Sequence, residues 1–382
     1  MVTQTEQTTL SFIPKLKTMP KLAILVFLVP LVFYLEHIQA NPILLFVVSA
    51  ISVLGLITLI GKSVEQIAHY SGPVVGGLLN ATFGNFTELV IAINGIRAGL
   101  FDLIRASITG SILGNLILVM GLSMFYGGLK YKTQKFSRTG ANTSILMLVI
   151  VVFALLIPTF VHYGYRAEGL NVETAQSLEQ HVSLYSAILL IAVYFLSLFF
   201  SLKTHRFAYM PETSAHEEET LEWRKLFAIG VLFFAAILVS FVSDIFVGAI
   251  EKMLTVSKIP LSELFMGVIV IAAIGNAVDG MVAVAMAGKN KMDISYQVAM
   301  GASIQVGLLI APFLVILSFL TGGHPTTHIP FTLQFSIFEV IALAGGVALA
   351  GYSLQDGESN WFEGMMFIIL YTIFGVAFFF HP

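Results

Sequence analysis

Long runs of apolar residues, separated by short polar stretches, make up most of this chain. A helix that crosses a membrane needs roughly 20 consecutive apolar residues, and runs near that length predict eleven spanning helices. Such long uncharged runs favour a bundle of helices over a barrel of short alternating strands. The runs cover residues 22–35, 42–61, 72–87, 106–129, 141–161, 182–202, 226–243, 264–278, 294–319, 340–355 and 364–380.

The composition excludes a water-soluble globular fold. Hydrophobic residues make up 57% of the 382 residues, charged residues only 11%, and the mean hydropathy is +0.91. Soluble domains carry about 25% charged residues. We therefore expect an all-α integral membrane protein. The absence of cysteine excludes disulfides and thiolate metal sites, and a net charge of −3 with scattered basic residues predicts no nucleic-acid binding.

The basic residues predict the orientation in the membrane. If the N-terminus is cytoplasmic, fourteen of the 19 Lys and Arg residues fall on the cytoplasmic side and five on the other. This bias favours a cytoplasmic N-terminus. Lys15, Lys17 and Lys21 precede a short first run, as in a signal peptide, but no good cleavage site follows, so we expect an uncleaved first span. The short N-terminus favours a prokaryotic plasma membrane, with a vacuole-like membrane as the alternative.

A polar stretch at residues 203–225 divides the chain into six runs before it and five after it. It is either a solvated cytoplasmic linker or an acidic segment that collects divalent cations. We therefore predict four parts: a tail and first helix (1–41), a first repeat (42–202), the acidic linker (203–225) and a second repeat (226–382). The acidic residues of the linker are Glu212, Glu217, Glu218, Glu219 and Glu222.

An internal duplication supports the two repeats. Residues 84–88, GNFTE, align with residues 275–279, GNAVD, at an offset of 191. Five spans in each repeat force the repeats into opposite orientations, as in inverted-repeat transporters. The same ungapped offset pairs Ala92 with Ala283, Asp102 with Asp293, and Gly110 with Gly301.

Two embedded acids occupy equivalent places in the repeats. Glu88 is the only formal charge between residues 66 and 96, and Asp279 is the only one between residues 264 and 288. A charge at the bilayer centre costs about 3 kcal/mol on insertion scales, so such residues usually face the protein interior and mark an ion path. One acid could be satisfied by a neighbouring helix, but two equivalent acids indicate function.

Each acid follows an asparagine by three residues, so Asn85 and Asn276 share a helix face with Glu88 and Asp279, respectively. Each asparagine follows a glycine, Gly84 or Gly275, where a helix break would expose carbonyl oxygens; helix packing is the alternative. Carboxylate, amide and carbonyl oxygens suit Ca²⁺ or Na⁺. Ser111, Ser303 and Gln305 in the next spans are candidate secondary ligands or simple hydrogen-bonding groups.

The sequence links the other acids less directly to ion binding. Glu339 lies near one end of its span, where snorkelling or a local polar partner explains it. The histidines show no metal-site spacing, and no nucleophile–base pair indicates an enzyme, so we expect no catalytic site and no cofactor. Four acids near span ends either line access paths or are solvated at the surface: Glu65, Asp244, Glu251 and Glu263.

From about residue 42 to its end, the chain resembles the cation/proton exchanger (CAX) family of Ca²⁺/H⁺ antiporters, within the cation/Ca²⁺ exchanger superfamily. Residues 76–128, GGLLNATFGNFTELVIAINGIRAGLFDLIRASITGSILGNLILVMGLSMFYGG, resemble its first signature. Residues 275–313, GNAVDGMVAVAMAGKNKMDISYQVAMGASIQVGLLIAPF, resemble its second. FEVIAL (338–343) and QDGESNWFEGMMFIILY (355–371) resemble its C-terminal end.

The resemblance implies eleven spans in two inverted five-span repeats and a cation site at broken helices. It implies that Glu88 and Asp279 bind the transported Ca²⁺ or H⁺ in turn. Asp279 stands where the family usually has Glu, and Gly280 where it often has His. The Glu/Asp pairing is also similar to that of potassium-dependent Na⁺/Ca²⁺ exchangers, so Na⁺-driven exchange is the alternative, and a passive cation channel is a distant one. Nothing in the sequence indicates an oligomeric state.

Overall fold

The computed structural model describes residues 21–71, 73–167, 171–204, 222–256 and 262–381, and each predicted apolar run lies mainly on helices there. A 3₁₀-helical segment, Lys21–Leu28, precedes the first α-helix. The α-helices are α1 (Val29–His37), α2 (Pro42–Ser71), α3 (Pro73–Phe83), α4 (Phe86–Arg97), α5 (Phe101–Leu113), α6 (Met120–Lys130), α7 (Arg138–Ala167), α8 (Val172–Phe199), α9 (Lys225–Val256), α10 (Glu263–Phe265), α11 (Ala272–Gly275), α12 (Ala277–Ala287), α13 (Met292–Gln305), α14 (Ala311–Thr321), α15 (Ile337–Ser353) and α16 (Trp361–Phe380).

Short π-helical segments continue or join several of these helices. They are Gly114–Val119 between α5 and α6, Phe200–Thr204 after α8, Met266–Ile271 between α10 and α11, and Val306–Ile310 between α13 and α14. Two short strands, β1 (Gln134–Lys135) and β2 (Glu358–Ser359), pair in antiparallel fashion. π-helical segments loosen the regular backbone ladder and are frequent at functional sites.

Within the described residues, seven helices are long and apolar enough to cross a membrane: Pro42–Ser71, Phe101–Lys130, Arg138–Tyr165, Val172–Phe199, Lys225–Thr255, Met292–Thr321 and Trp361–Phe380. Glu263–Gly275 and Ala277–Ala287 form a pair bent by 59°, which adds an eighth. The predicted runs at 22–35, 72–87 and 340–355 fall on shorter helices, so the count of eleven is not confirmed. A helix break shortens the run 72–87, since α3 stops at Phe83, just before Gly84 and Asn85.

The internal duplication recurs in the helix boundaries. Helices α4 and α12 begin at Phe86 and Ala277, which are separated by the same 191 residues as Glu88 and Asp279. The starts of α5 and α13 share this offset, as do those of α6 and α14, and the π-helical segment 306–310 falls at the same offset from residues 115–119. Equivalent sequence positions therefore produce the same local breaks in both halves of the chain.

The chain forms two compact units, each of which takes segments from both halves of the sequence. The first unit contains Met1–Asn94 and Thr213–Lys258, and the second contains Gly95–Glu212 and Ile259–Pro382. In the first unit, α2 packs along α9 and against the segment that begins at Lys21. A Cβ atom on Gly55 would lie 2.8 Å from the backbone nitrogen of Val26, so glycine permits this close approach.

The last residues of the acidic linker are held against α2 in the first unit. The side-chain oxygen of Gln66 accepts hydrogen bonds from the backbone amides of Glu222 and Trp223, both at 3.0 Å. Lys62 pairs with Glu222 at 3.3 Å, and the hydroxyl of Tyr70 donates to the Trp223 carbonyl. The other four linker glutamates lie outside the described residues, so the predicted role of the linker stays a prediction.

In the second unit, α5 crosses the π-helical segment Met266–Ile271 backbone to backbone. A Cβ atom on Gly110 would collide with the backbone of Val268, and one on Gly267 would collide with Ala106. Residues 331–335, which we name the strap, lie in the connection between α14 and α15 and are neither helix nor strand. Three helix hydroxyls accept its backbone amides: Ser318 from Phe331, Ser183 from Leu333 and Thr159 from Phe335.

Candidate ion-binding site

Glu88 lies at a helix break in the first unit. Helix α3 ends at Phe83 and α4 begins at Phe86, so Gly84 and Asn85 form the break. Glu88 is in the first turn of α4 and is half-buried, while the Asn85 side chain is buried. The aligned amide dipoles at a helix start favour negative charge. Of the two alternatives at Gly84, a break or helix packing, the helix ends are those of a break, which places a carboxylate where the backbone stabilises it.

Asp279 has the matching place in the second unit. Helix α11 ends at Gly275 and α12 begins at Ala277, with a bend of 59° between the two parts of the span. Asp279 is half-buried in the first turn of α12, and Asn276, at the bend itself, is 6% exposed. The sequence motif therefore produces a broken helix with an acid at its start in this unit also.

The Asn276 side chain bridges the bend to α5 and the π-helical segment that follows it. Its Nδ2 donates to the Ser111 carbonyl at 3.2 Å, and its Oδ1 accepts from Nδ2 of Asn115 at 3.1 Å. A backbone carbonyl can only accept, so the amide of Asn276 must point its nitrogen at Ser111 and its oxygen at Asn115. Asn115 in turn must present its nitrogen. The orientation of both amides thus follows from one backbone group.

Close packing surrounds this amide bridge. A Cβ atom on Gly114 would lie 2.7 Å from Nδ2 of Asn276, so glycine leaves the space that the amide occupies. The Ser303 hydroxyl lies 3.2 Å from the Ile112 carbonyl and 3.1 Å from the Ala299 carbonyl. The predicted residues Asn276, Ser111 and Ser303 are therefore brought together by bonds between α5, α13 and the bend.

Gln305 ends α13 and is half-buried, and Ser111 is buried. Asn115 is a residue of this site that the sequence analysis does not predict. Its side chain is fully buried, and no donor among the described residues reaches its Oδ1. A signal was available: Asn115 follows Ser111 by one helical turn and so shares its face.

The four acids predicted for access paths lie apart along the chain. Glu65 pairs with Lys62 at 2.7 Å, Asp244 and Glu251 are exposed on α9, and Glu263 is exposed at the start of α10. Across the described ranges, no three His, Asp or Glu side chains are grouped so that they could hold a metal ion. The access role of these four acids stays a prediction.

Glu339 has local polar partners and is 3% exposed, so it does not snorkel. It forms a capping box with Ser336: the Ser336 amide donates to Oε2 at 2.8 Å, and the Ser336 hydroxyl accepts from the Glu339 amide at 3.2 Å. Oε1 accepts from the Thr109 hydroxyl at 3.1 Å. This acid therefore caps α15 and ties its start to α5.

Comparison with known proteins identifies the family. The sequence profile described as sodium/calcium exchanger protein matches residues 41–203 and 227–380. The chain belongs to this family. The match spans most of the chain, and the helical, membrane-spanning fold class predicted from the sequence is thereby confirmed.

Individual relatives match almost their whole length. The Ca²⁺/H⁺ antiporter of Aphanothece halophytica is 38% identical over 376 residues, covering 94% of this chain and 96% of the relative. The Ca²⁺/H⁺ antiporter ChaA of Bacillus subtilis is 39% identical over 339 residues, covering 88% and 92%. The solved structure of native YfkE superimposes with a TM-score of 0.76 at 33% identity and covers 94% of this chain and all of that one.

Proposed function

We propose that this protein is a secondary antiporter that exchanges Ca²⁺ for H⁺ across a membrane, with Glu88 and Asp279 as its ion-binding carboxylates. The observation that carries the proposal is the pair of helix breaks at equivalent positions, each followed by an acid in the first helical turn. The choice of ions is supported by near full-length relatives named Ca²⁺/H⁺ antiporters. Residues 42–202 and 226–382 are the two exchanger repeats in this proposal.

Charge balance explains how two carboxylates couple the two ions. One Ca²⁺ neutralises both carboxylates, and so do two protons. The empty site carries two negative charges, whose desolvation in a low-dielectric interior is costly. A loaded site can therefore change its access from one side of the membrane to the other, whereas this change is unfavourable for the empty, doubly charged site. Alternating access of this kind needs only that each ion bind differently to the two states.

Supporting oxygens come from neighbouring groups in each unit. Asn85 lies beside Glu88, and Asn276 lies beside Asp279 with its oxygen oriented by Asn115. One lone pair of that oxygen accepts from Asn115, and the other is available to a cation. Ser111, Ser303 and Gln305 complete the set of candidate ligands. Such neutral hard oxygens suit Ca²⁺, and the ion is cargo here, with no resident cofactor.

Gly280 stands where the resemblance implies a frequent His, and a neighbouring side chain limits the space at this position. A Cβ atom on Gly280 would lie 3.0 Å from Cγ2 of Val119, so a larger side chain would force Val119 to move. The site therefore lacks an imidazole beside Asp279, and the proposal assigns the transported protons to the carboxylates themselves. Asp279 is also one methylene shorter than the Glu that the resemblance implies, which bears on selectivity among divalent cations.

Radioactive Ca²⁺ uptake into proteoliposomes tests the proposal. Purified protein is reconstituted, and a pH gradient, a Na⁺ gradient or no gradient is imposed in separate samples. We expect uptake with the pH gradient alone. Uptake that needs Na⁺ would establish the Na⁺-driven alternative, and equal flux without any counter-ion gradient would indicate a passive channel. Because the assay needs only a sealed vesicle, it does not depend on the proposed cytoplasmic N-terminus or plasma-membrane location.

A further inference from the structure

Three chain connections are joined to one another at one end of the second unit. The strand β1, between α6 and α7, pairs with β2, between α15 and α16. The buried Gln134 side chain donates to the Ala287 carbonyl at 2.9 Å and to Oδ1 of Asn290 at 3.0 Å. The amide of Ser137 donates to Asp293 at 2.6 Å. We name residues 130–138, 288–293 and 356–361 together the platform. Its backbone is fixed by these bonds.

The platform carries a high density of basic side chains. Five of them are exposed and one is half-buried, within two stretches of nine and three residues. They are Lys130, Lys132, Lys135, Arg138 and Lys289, with Lys291 half-buried. The platform contains three acids, Asp293, Asp356 and Glu358, against these six basic residues, so its formal net charge is +3 (six minus three). Asp293 accepts from the Ser137 amide, Asp356 accepts from the Glu358 amide, and Glu358 pairs with Lys135 at 3.3 Å. The platform therefore carries a surplus of positive charge on a fixed surface.

Aromatic and aliphatic side chains border these charges. Lys130 holds its Nζ 4.5 Å from the ring centre of Tyr126 and donates to the Gly288 carbonyl at 3.3 Å. Leu129, next to it, is 62% exposed, and Trp361 is 46% exposed. Exposed Trp and Tyr rings mark the headgroup level of a membrane. The basic groups thus lie where helix ends leave the hydrocarbon and meet lipid headgroups.

We propose that the platform binds anionic phospholipids through their headgroup phosphates. Lysine and arginine near a membrane surface attract anionic lipid, and here the bonds among the three connections hold several of them in one place. A soluble anion would not use the bordering apolar side chains, whereas a lipid fills both environments at once. The inference does not depend on which ions the protein exchanges.

The competing explanation is the charge bias that orients membrane proteins during insertion. That bias needs basic residues on one side of the membrane but no bound lipid. Under this explanation, neutralising basic residues of the platform and neutralising basic residues elsewhere in the chain should have the same effect on lipid retention. A comparison of two variants with the same net charge separates the two explanations.

Native mass spectrometry of the purified full chain provides the test. The protein is incubated with equal amounts of phosphatidylglycerol and phosphatidylcholine, and retained lipid is counted. We expect wild type to retain phosphatidylglycerol preferentially. Lys130→Gln/Lys132→Gln/Arg138→Gln should lower that preference about tenfold. The charge-matched control Lys203→Gln/Lys225→Gln/Lys252→Gln, at three other exposed positions, should keep it within about twofold.

Several outcomes would overturn the proposal. These are an equal loss in both triple variants, no preference for phosphatidylglycerol in wild type, and displacement of the lipid by excess soluble glycerol phosphate. Thermal unfolding of each variant establishes that it is folded. If the platform triple variant does not fold, the single variants Lys130→Gln and Lys132→Gln replace it, and each should lower the preference about twofold or more; unchanged preference in both would contradict the proposal.

Discussion

Glu88 and Asp279 each lie in the first turn of a helix that follows a break, and this local geometry makes a carboxylate tolerable inside a membrane. Free amides and the helix dipole stabilise the charge, while half-burial keeps it accessible to an ion. A neutral amide of the same size would keep the fold and lose the charge. In the proposed function the ionised form is the one that binds the ion, and it costs stability until the ion binds.

Neutralising either acid should abolish exchange. In Glu88→Gln or Asp279→Asn, a bound Ca²⁺ would face one carboxylate and leave an uncompensated positive charge, so we expect at least about a hundredfold loss of Ca²⁺/H⁺ exchange in proteoliposomes. Asp279→Glu keeps the charge and should retain activity, with altered selectivity among Ca²⁺, Mn²⁺ and Cd²⁺. Glu173→Gln, at an exposed acid in α8, is the control. Robust exchange by either neutralised variant would contradict the proposal that the two carboxylates share the transported ions.

Competition between ions at the same carboxylates gives a second expectation. Lowering the pH on the Ca²⁺-binding side protonates the site, so the apparent KM for Ca²⁺ should rise while the maximal rate at saturating Ca²⁺ changes little. Initial rates measured at several Ca²⁺ concentrations and two pH values check this. A KM that does not vary with pH would place the transported protons on other groups.

The amide bridge at the bend predicts a strong effect from a single methyl group. Gly114→Ala would place Cβ 2.7 Å from Nδ2 of Asn276, displace the amide and break its bonds to Ser111 and Asn115. We expect about a tenfold loss of exchange and a stability change of about 1–3 kcal/mol. Gly230→Ala, in α9 with no atom within 4 Å of the added carbon, is the matched control. Wild-type kinetics in Gly114→Ala would show that the position of this amide is unimportant.

At the scale of elements, periodicity and motif repetition predict much of the architecture. The apolar runs predict the helices, and the GN motifs predict both breaks, because glycine and a nearby buried acid disfavour a continuous helix there. The π-helical segments and the Asn115–Asn276 bridge could not be predicted. A π-helical turn has no distinct residue pattern, and the two asparagines are separated by 161 residues along the chain. Pairings across such distances depend on packing, which one sequence does not reveal.

The strap could not be predicted from the sequence either. Its amides are accepted by hydroxyls of helix residues, and the sequence does not distinguish these from other serines and threonines in membrane helices. Thr332, within it, donates to Glu179 at 3.1 Å, and Glu179 pairs with His162 at 2.7 Å. A segment outside helices and strands has no hydrogen-bond ladder of its own to satisfy its amides. In the strap, helix hydroxyls accept three of them instead.

Removing one of these hydroxyls should therefore destabilise the protein. Ser183→Ala leaves the buried Leu333 amide without its acceptor, and we expect a loss of about 1–3 kcal/mol in the free energy of unfolding. Ser63→Ala is the matched control, because that buried hydroxyl donates to the Leu59 carbonyl within its own helix and accepts no amide of the described residues. Thermal unfolding of the purified variants compares them. Equal midpoints for Ser183→Ala and Ser63→Ala would show that the Ser183–Leu333 bond contributes little.

At the scale of the whole molecule, the basic residues are distributed differently from the two compact units. Each unit takes segments from both halves of the sequence. The basic residues instead are concentrated in every second connection between spans, on the side predicted to be cytoplasmic. All six basic residues of the platform belong to the side that the charge bias predicts to be cytoplasmic. The predicted orientation and the proposed lipid binding are thereby linked: if both hold, the residues that direct insertion also place the platform at the cytoplasmic leaflet.

The predicted orientation can be tested directly, because the chain has no cysteine of its own. Thr133 and Thr326 are both exposed, in connections predicted to be cytoplasmic and external, respectively. With the N-terminus inside, a membrane-impermeant maleimide added to intact cells should label Thr326→Cys at once and Thr133→Cys only after permeabilisation. The cysteine-free parent gives the background. The reverse pattern would put the N-terminus outside and move the platform to the opposite leaflet, without altering the paired carboxylates on which the exchange proposal rests.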